Sequence, residues 1–337
     1  FDDSLKLNEF VKECDVIIHL AALNRHNDPD VIYKTNISLV NKLICSVNIT
    51  DSKPHIIFSS STQEEKGNLY GRSKLEGRKL FEDWAKKTGG RFTGLIIPNV
   101  FGPFGNPFYN SFIATFSHQL TGNLEPKIDV DSEVGLIFIG EVVGEIIRII
   151  ENENKNISLI KLAATSRYRV SKVLHLLNIY KDQYLMKGLI PEIDNTFKLN
   201  LFNTFRSYID LKNFYPFHYK LNKDDRGTFV EILKLHSGGQ VSYSTTKPGI
   251  TRGNHFHTRK IERFTVIQGE AVIKMRKFNT DKVLEFKLNG NEPGFVDMPI
   301  WYTHNITNVG KSELITLFWI NEFYNPDDPD TYYEEVE

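Results

Sequence analysis

Four side chains in the last third of this 337-residue chain could hold a cation: His255, His257, Glu262 and His304. His255 and His257 stand at alternate positions, which on a strand share one face. Glu262 follows across an expected hairpin turn at Thr258-Arg259-Lys260, and His304 comes from a distant segment after a turn at Pro299. Three imidazoles and one carboxylate meeting in one place suit a divalent transition metal, with positions left open for substrate. A second group lies in the first third. Tyr70-Gly-Arg-Ser-Lys74 puts a tyrosine and a lysine on one face of a helix start. A tyrosine ordinarily titrates near ~10, too high for proton transfer at neutral pH. A lysine cation beside it favours tyrosinate and lowers that value. Such a pair exchanges a proton with a substrate oxygen while a nicotinamide exchanges hydride. Ser61, at the end of the preceding strand, could hold that oxygen against Tyr70.

The elements that must position these groups fall into two patterns. Through the first half, apolar runs alternate with helical spacing. Asp15 to Ala22 reads as a strand buried on both faces, and 36–47 as a helix (Leu39, Val40, Leu43, Ile44, Val47). His55 to Phe58 is a strand, Tyr70 to Lys87 a helix stopped by Gly89-Gly90, and Phe92 to Ile97 a third strand broken at Pro98-Asn99. Helices are expected over 134–151 and 170–178. This alternation implies a parallel sheet with its site at the carboxyl edge, where Ser61 falls. After about residue 208 the pattern changes. Tyr215-Pro216-Phe217 and Asp224-Asp225-Arg226-Gly227 read as linker and turn. Short strands follow at 229–235, 240–245, 264–267, 271–276, 284–288, 294–297 and 314–319, the spacing of an all-β barrel or sandwich.

Composition excludes several classes. Hydrophobic residues make up 40% and charged residues 25%, values of a globular chain, and no apolar run reaches the ~18 residues of a membrane span. A formal net charge of −1 gives no electrostatic support for nucleic acid or a membrane surface as partner. Cys14 and Cys45, both in apolar segments, read as buried thiols of a reducing, cytoplasmic compartment and not as a disulfide. Among the other histidines, only His19, inside the first strand, is expected near a site.

The segments Asp15-Val-Ile-Ile-His-Leu-Ala-Ala22, Phe58-Ser-Ser-Ser61, Tyr70-Gly-Arg-Ser-Lys74 and Pro98-Asn-Val-Phe-Gly-Pro103 come in an order that resembles the extended short-chain dehydrogenase/reductases of nucleotide sugars. The likeness covers roughly residues 10–150. It implies a Rossmann-like α/β fold, with Tyr70, Lys74 and Ser61 catalytic. It also implies that His19, Leu20, Ala21 and Ala22, together with Tyr70 and Lys74, border the dinucleotide, and that Asn99 lies near the sugar nucleotide. The glycine-rich G-x-x-G-x-x-G turn of that family occurs nowhere in the sequence. Its place lies ahead of Phe1, so the α/β module reads as N-terminally incomplete. The residue that would choose between NAD and NADP falls in that stretch as well.

Gly253-Asn-His255-Phe-His257 with Glu262, and Gly294 to Asn308 with Pro299 and His304, closely resemble the two motifs of the cupins, jelly-roll barrels that bind a metal. Trp301 stands where the second motif usually carries glycine. Asp225-Arg-Gly227-x-Phe229-x-Glu231 and Gly249 to His255 are also similar to metal-free deoxysugar 3,5-epimerases, in which His255 would be a base and not a ligand. As a whole the chain resembles the CapF-type bifunctional enzymes of capsular polysaccharide synthesis, on Asn68 to Lys74, Lys247 to His255, Tyr302 to Ile306 and Asn325 to Tyr332. That resemblance implies a reductase over 1–210 and a cupin over 211–337, a UDP-sugar substrate, NADP(H), zinc or another divalent metal, and a homodimer. It implies C3 epimerisation of a UDP-2-acetamido-2,6-dideoxy-4-hexulose, then C4 reduction to the L-talose product. The base for the first step stays open: Lys247 and Tyr302 are the candidates beside the motifs.

Overall fold

A computed structural model describes residues 1–152 and 157–337. Its contacts group into two units that do not follow chain order. One holds residues 1–101, 108–111 and 131–170; the other holds 102–107, 112–130 and 171–337.

The first unit is the α/β half. Its elements are α1 (Ser4–Glu13), β1 (Val16–His19), α2 (Pro29–Ile49), β2 (His55–Ser61), α3 (Leu69–Thr88), β3 (Phe92–Ile97) and β4 (Asn99–Phe101). After α4 (Phe112–Thr121), which belongs to the second unit, come β5 (Glu133–Phe138), α5 (Ile139–Glu151), β6 (Ile157–Lys161) and β7 (Ser166–Arg169). β1, β2, β3 and β6 form a parallel sheet in that order, with α1, α2 and α3 packed on one face. Val40, Leu43 and Val47 of α2 pack there on Phe58, Phe81 and Phe92. β4 pairs parallel with β5, and β5 antiparallel with β7.

One expected helix is shorter than its spacing suggested. The run from 134 is strand as far as Phe138, because Ser166–Arg169 of β7 and Asn99–Phe101 of β4 pair with its backbone. The helix begins only at Ile139, where the Glu141 carboxylate accepts from the Phe138 amide at 2.9 Å. Both cysteines are free, but Cys45 is exposed, not buried. It sits on α2 outside the buried stripe of Val40, Leu43 and Val47.

The second unit adds α6 (Val170–Tyr180), α7 (Thr196–Arg206) and α8 (Leu211–Phe214) to a barrel. Its strands are β8 (Phe217–His218), β9 (Leu221–Asp224), β10 (Gly227–Val230), β11 (Gln240–Thr246), β12 (Thr251–Phe256), β13 (Glu262–Gln268), β14 (Glu270–Lys277) and β15 (Val283–Asn289). β16 (Gly294–Met298), β17 (Tyr302–Asn308), β18 (Leu314–Ile320) and β19 (Tyr332–Tyr333) complete them. Two five-stranded sheets, β11-β18-β13-β16-β8 and β15-β14-β17-β12-β19, make a jelly roll. The expected strand at 229–235 ends at Val230, since β10 pairs only with β9. The expected hairpin at 258–260 is instead a crossing between sheets: β12 pairs with β17 and β19, whereas β13 pairs with β16 and β18. Helix α7 carries almost no charge on its buried side. Phe197, Leu201, Phe202 and Phe205 pack inward on period, yet its polar Asn200, Asn203 and Thr204 are buried too, which hides the stripe in the sequence.

Candidate functional site

In the barrel the four expected ligands meet. Their donor atoms all lie within 4.8 Å of one another. The local cause is a bulge in β12. Asn254 takes a left-handed φ of 61°, and the register shifts between Gly253 and His255, so that His255 stands directly opposite His304. Gly253 is required there, since a Cβ would come within 2.8 Å of the His304 carbonyl oxygen. His257 lies just past the strand and is fixed at its main chain, where its carbonyl accepts from the Trp301 amide at 2.8 Å. Glu262 enters from the first residue of β13 on the other sheet.

The hydrogen bonds settle which ring atoms face inward. His304 Nδ1 donates to the Tyr302 carbonyl at 3.1 Å, and His257 Nδ1 to the Asp330 carbonyl at 2.5 Å. His255 bonds the Gly253 main chain. Carbonyl oxygens only accept, so in His257 and His304 the proton is on Nδ1 and Nε2 turns to the cluster. His257 Nε2 is 3.0 Å, His304 Nε2 3.2 Å and His255 Nε2 4.0 Å from one oxygen, Glu262 Oε2. His257 Nε2 makes no properly angled hydrogen bond in that position. The Nε2 lone pairs of His257 and His304 face a largely buried carboxylate, an arrangement that repels unless positive charge stands among them. The arrangement fits a divalent cation.

The charges reflect the same crowding. Burial pushes the Glu262 carboxyl up, but the imidazoles of His257 and His304 outweigh it and hold it well below the usual carboxylate range. Burial, helped by His304, depresses His255 to about 4. His257 goes the other way, because Glu262 and Asp330 outweigh its burial.

Of the two base candidates, Tyr302 is near. It shares a face of β17 with His304 two residues on, and its phenol, raised by burial, stacks toward Phe104 at 6.4 Å between centroids. Lys247 is not brought to the cluster. It is exposed in the turn joining β11 to β12, where Gly249 bonds Asn308, and that point lies about 13 Å along β17 from His304.

In the α/β unit, Ser61 closes β2, and its hydroxyl accepts from the Gln63 amide at 3.2 Å. Tyr70 opens α3, one turn ahead of Lys74, whose ammonium is 5.9 Å from the Tyr70 ring centroid and 4.9 Å from that of Phe58. Lys74 is buried and donates to the Ser59 carbonyl at 2.8 Å. Burial depresses it to about 8. The expected lowering of Tyr70 is reversed in the protein alone: burial, then the neighbouring Tyr109, pushes its phenol up to about 12. The lysine's charge is spent on a carbonyl and does not offset that desolvation.

His19 is packed into the core among Phe58, Phe81 and Phe1, and burial depresses it to about 4. What it offers the strand end is its carbonyl, which accepts from Ser59 Oγ at 3.2 Å. Leu20, Ala21 and Ala22 run on without pairing, at the carboxyl edge beside Ser59–Ser61. Asn99, also at that edge, is exposed and donates to the Gly135 carbonyl at 3.2 Å.

Two positioning residues escaped the sequence reading. Asn36 is buried in α2. It accepts from the Leu23 amide at 2.7 Å and donates to the Leu23 carbonyl at 3.1 Å and to Ser73 Oγ at 3.0 Å, which ties the 20–23 segment to the Tyr70 helix. Asp330 is the other. A polar residue on an otherwise apolar helix stripe was the available signal for Asn36; nothing but the fold marks Asp330 among its acidic neighbours.

Comparison with known proteins agrees with both halves. Residues 1–160 match the NAD dependent epimerase/dehydratase family, and 222–332 match the polysaccharide biosynthesis C-terminal domain. A Pseudomonas aeruginosa protein named UDP-2-acetamido-2,6-beta-L-arabino-hexul-4-ose reductase is 31% identical over 97% of this chain and 87% of its own length. The crystal structure of the capsular polysaccharide assembling protein CapF from Staphylococcus aureus is 34% identical. It covers 99% of this chain and 90% of its own, with a TM-score of 0.61. The Bacillus subtilis spore coat polysaccharide biosynthesis protein SpsL is 24% identical over 32% of the chain.

Proposed function

This chain belongs to the CapF family of capsular polysaccharide enzymes, and from that membership we propose that it works on one UDP-sugar at two sites. The barrel inverts C3 of a UDP-2-acetamido-2,6-dideoxy-4-hexulose, and the α/β unit then reduces C4 to give UDP-2-acetamido-2,6-dideoxy-L-talose. The observation that carries the reading is the convergence of His255, His257 and His304 Nε2 on Glu262 Oε2.

Those four residues would hold the metal, zinc or a similar divalent ion. When bound, it supplies a Lewis acid that polarises the C4 ketone and so acidifies the proton on C3. The barrel's own contribution is a dry, fixed setting. Main-chain carbonyls lock the rings of His257 and His304, and His255 is the most exposed ligand, with 24% of its side chain open on the approach side. Tyr302 shares the face of His304, and because burial keeps its phenol protonated it is the candidate to return a proton to C3 from Oη.

In the α/β unit, Leu20–Ala22 and Lys74 would hold the nicotinamide end of NADPH, which when bound would supply the hydride for C4. Tyr70 Oη gives the proton that converts the C4 oxygen to a hydroxyl, and a phenol pushed up to about 12 is protonated and ready to donate. Ser61 steadies the same oxygen. Lys74, depressed to about 8, can pass a proton back to Tyr70.

The test follows the two half-reactions on the 4-keto sugar nucleotide. Metal-loaded protein without NADPH should take deuterium from D2O into C3, and adding NADPH should yield the 6-deoxy-talose product with one NADPH oxidised. Reduction without any C3 exchange would leave the barrel with no catalytic role and defeat the proposal.

A further inference from the structure

Residues 321–331 run from the end of β18 to β19 as a strap, and β19 then pairs with β12 at His255 and Phe256. The strap is held along its length by the crossing segment between the sheets. Arg259 pairs with Glu322 and Asp328 at 3.1 and 2.9 Å, and Lys260 Nζ donates to the Pro329 carbonyl. At its inner end Asp330 is 2% exposed and takes a left-handed φ of 40°. Its carboxylate is fully used. Oδ1 accepts from the Thr258 amide at 3.0 Å and the Thr258 hydroxyl at 2.6 Å. Oδ2 accepts from the Arg259 and Lys260 amides at 3.0 and 2.9 Å. The main-chain carbonyl of the same residue accepts from His257 Nδ1.

We propose that Asp330 is the positioning residue of the four-ligand centre. Its carboxylate clamps the 258–260 crossing, and its own carbonyl thereby holds the His257 ring in the tautomer that presents Nε2. The inference rests on the metal centre proposed above. Both ends of the crossing matter to that centre, because it begins at His257 and ends at Glu262. One residue from the far end of the chain therefore sets the spacing of two ligands and the orientation of one. Partners that orient a ligating histidine typically govern metal affinity as well as geometry.

Asp330→Asn tests this in the full-length protein. Asparagine tolerates the left-handed backbone and keeps one acceptor oxygen, so the change removes chiefly the anchor for the Arg259 and Lys260 amides. Binding of Co2+ to metal-free protein, followed by its visible ligand-field absorption against a competing chelator, should weaken about 10- to 100-fold. The band shape should change too, a readout that general destabilisation would not move. Asp328→Asn, on the same strap but with its carboxylate on Arg259, should bind Co2+ as the parent does. Thr258→Val loses one bond to the carboxylate and serves if Asp330→Asn does not fold; it should weaken binding in the same direction, by about threefold or more. Parent-like affinity and spectrum in Asp330→Asn, or in Thr258→Val as its substitute, would overturn the proposal, as would an equal loss in Asp328→Asn. Parent protein that binds no Co2+ at all would instead refute the metal centre itself, and this inference with it.

Discussion

Arg263 and Asp297 face each other across β13 and β16 with two hydrogen bonds, 2.7 Å from Nε and 2.9 Å from Nη2, and both side chains are out of water. Arg263 also donates to the Gly188 carbonyl at 2.8 Å, and Asp297 accepts from Tyr184 at 2.7 Å. Glu262 precedes Arg263 in the same strand, on the opposite face, so the pair braces the wall from which a ligand projects. Removing one partner strands a buried charge, which costs about 3–5 kcal/mol. Asp297→Ala should lower the unfolding free energy of the barrel, read from urea titration, by that much. A loss below about 1 kcal/mol would mean that water or rearrangement satisfies Arg263.

The two sites should fail separately. His257→Ala takes away a ligand and leaves the α/β unit untouched, so C3 deuterium exchange should vanish while NADPH binding stays unchanged. Tyr70→Phe removes one oxygen and a general acid, a contribution of roughly 10²–10⁴ in rate. It should stop reduction at C4 and spare C3 exchange. Equal damage to both half-reactions from each substitution would contradict a division of labour.

Stability in acid should carry the mark of His55. The residue is 3% exposed at the start of β2, with Nε2 2.9 Å from Thr93 Oγ1 and Nδ1 without a partner among the described residues. Burial, then the charge of Arg91, depresses it to about 4. In the unfolded chain it takes up a proton below about 6.5. Between those values the unfolded state binds more protons, so stability falls as pH falls. From pH 7.5 to 5 this one ring should withdraw about 2 kcal/mol. His55→Gln, which can still bond Thr93, should flatten the pH dependence of unfolding by about that amount. The same slope in both proteins would show that His55 takes up its proton alike in the folded and unfolded chains.

What the sequence made legible was periodic or short-range. Most of the short strands and the helix after Asn68 follow local rules and land where their pattern places them, although the strand expected at 229–235 stops at Val230 and His257 falls just past β12. The convergence of Glu262 on His304 was inferable from motif order. The shape of the 258–260 crossing was not, because a two-sheet crossing and a hairpin share the same turn residues. Only the partner strands tell them apart. The partners of Asp330 and Asn36 were invisible for a related reason, although Asn36 itself stood out as a polar residue on a mostly apolar stripe. Each acts through main-chain groups more than ten residues distant, and no local pattern encodes a backbone partner. Tyr70 shows a third limit. The sequence supplies the lysine beside it, but the depth of burial that outweighs that lysine belongs to the fold.

Asn36 offers a way to test the cofactor edge without touching a reacting group. Its amide oxygen holds the Leu23 amide, and its nitrogen donates to the Leu23 carbonyl and to Ser73, the neighbour of Lys74 in α3. Asn36→Asp keeps the shape and the acceptor for Leu23, but it cannot donate, and it sets a carboxylate against the Leu23 carbonyl. Leaving such groups unpaired in the interior costs about 1–3 kcal/mol. That loss should fall on the 20–23 segment, where among the described residues Asn36 alone bonds Leu23, and not on the sheet. The expected result is a KM for NADPH raised about tenfold, since one such loss of about 1.4 kcal/mol corresponds to that factor. The C3 exchange catalysed by the barrel should not change. A lowered kcat at unchanged KM would place Asn36 instead behind Tyr70 through Ser73, whose hydroxyl donates to the Tyr70 carbonyl at 2.7 Å.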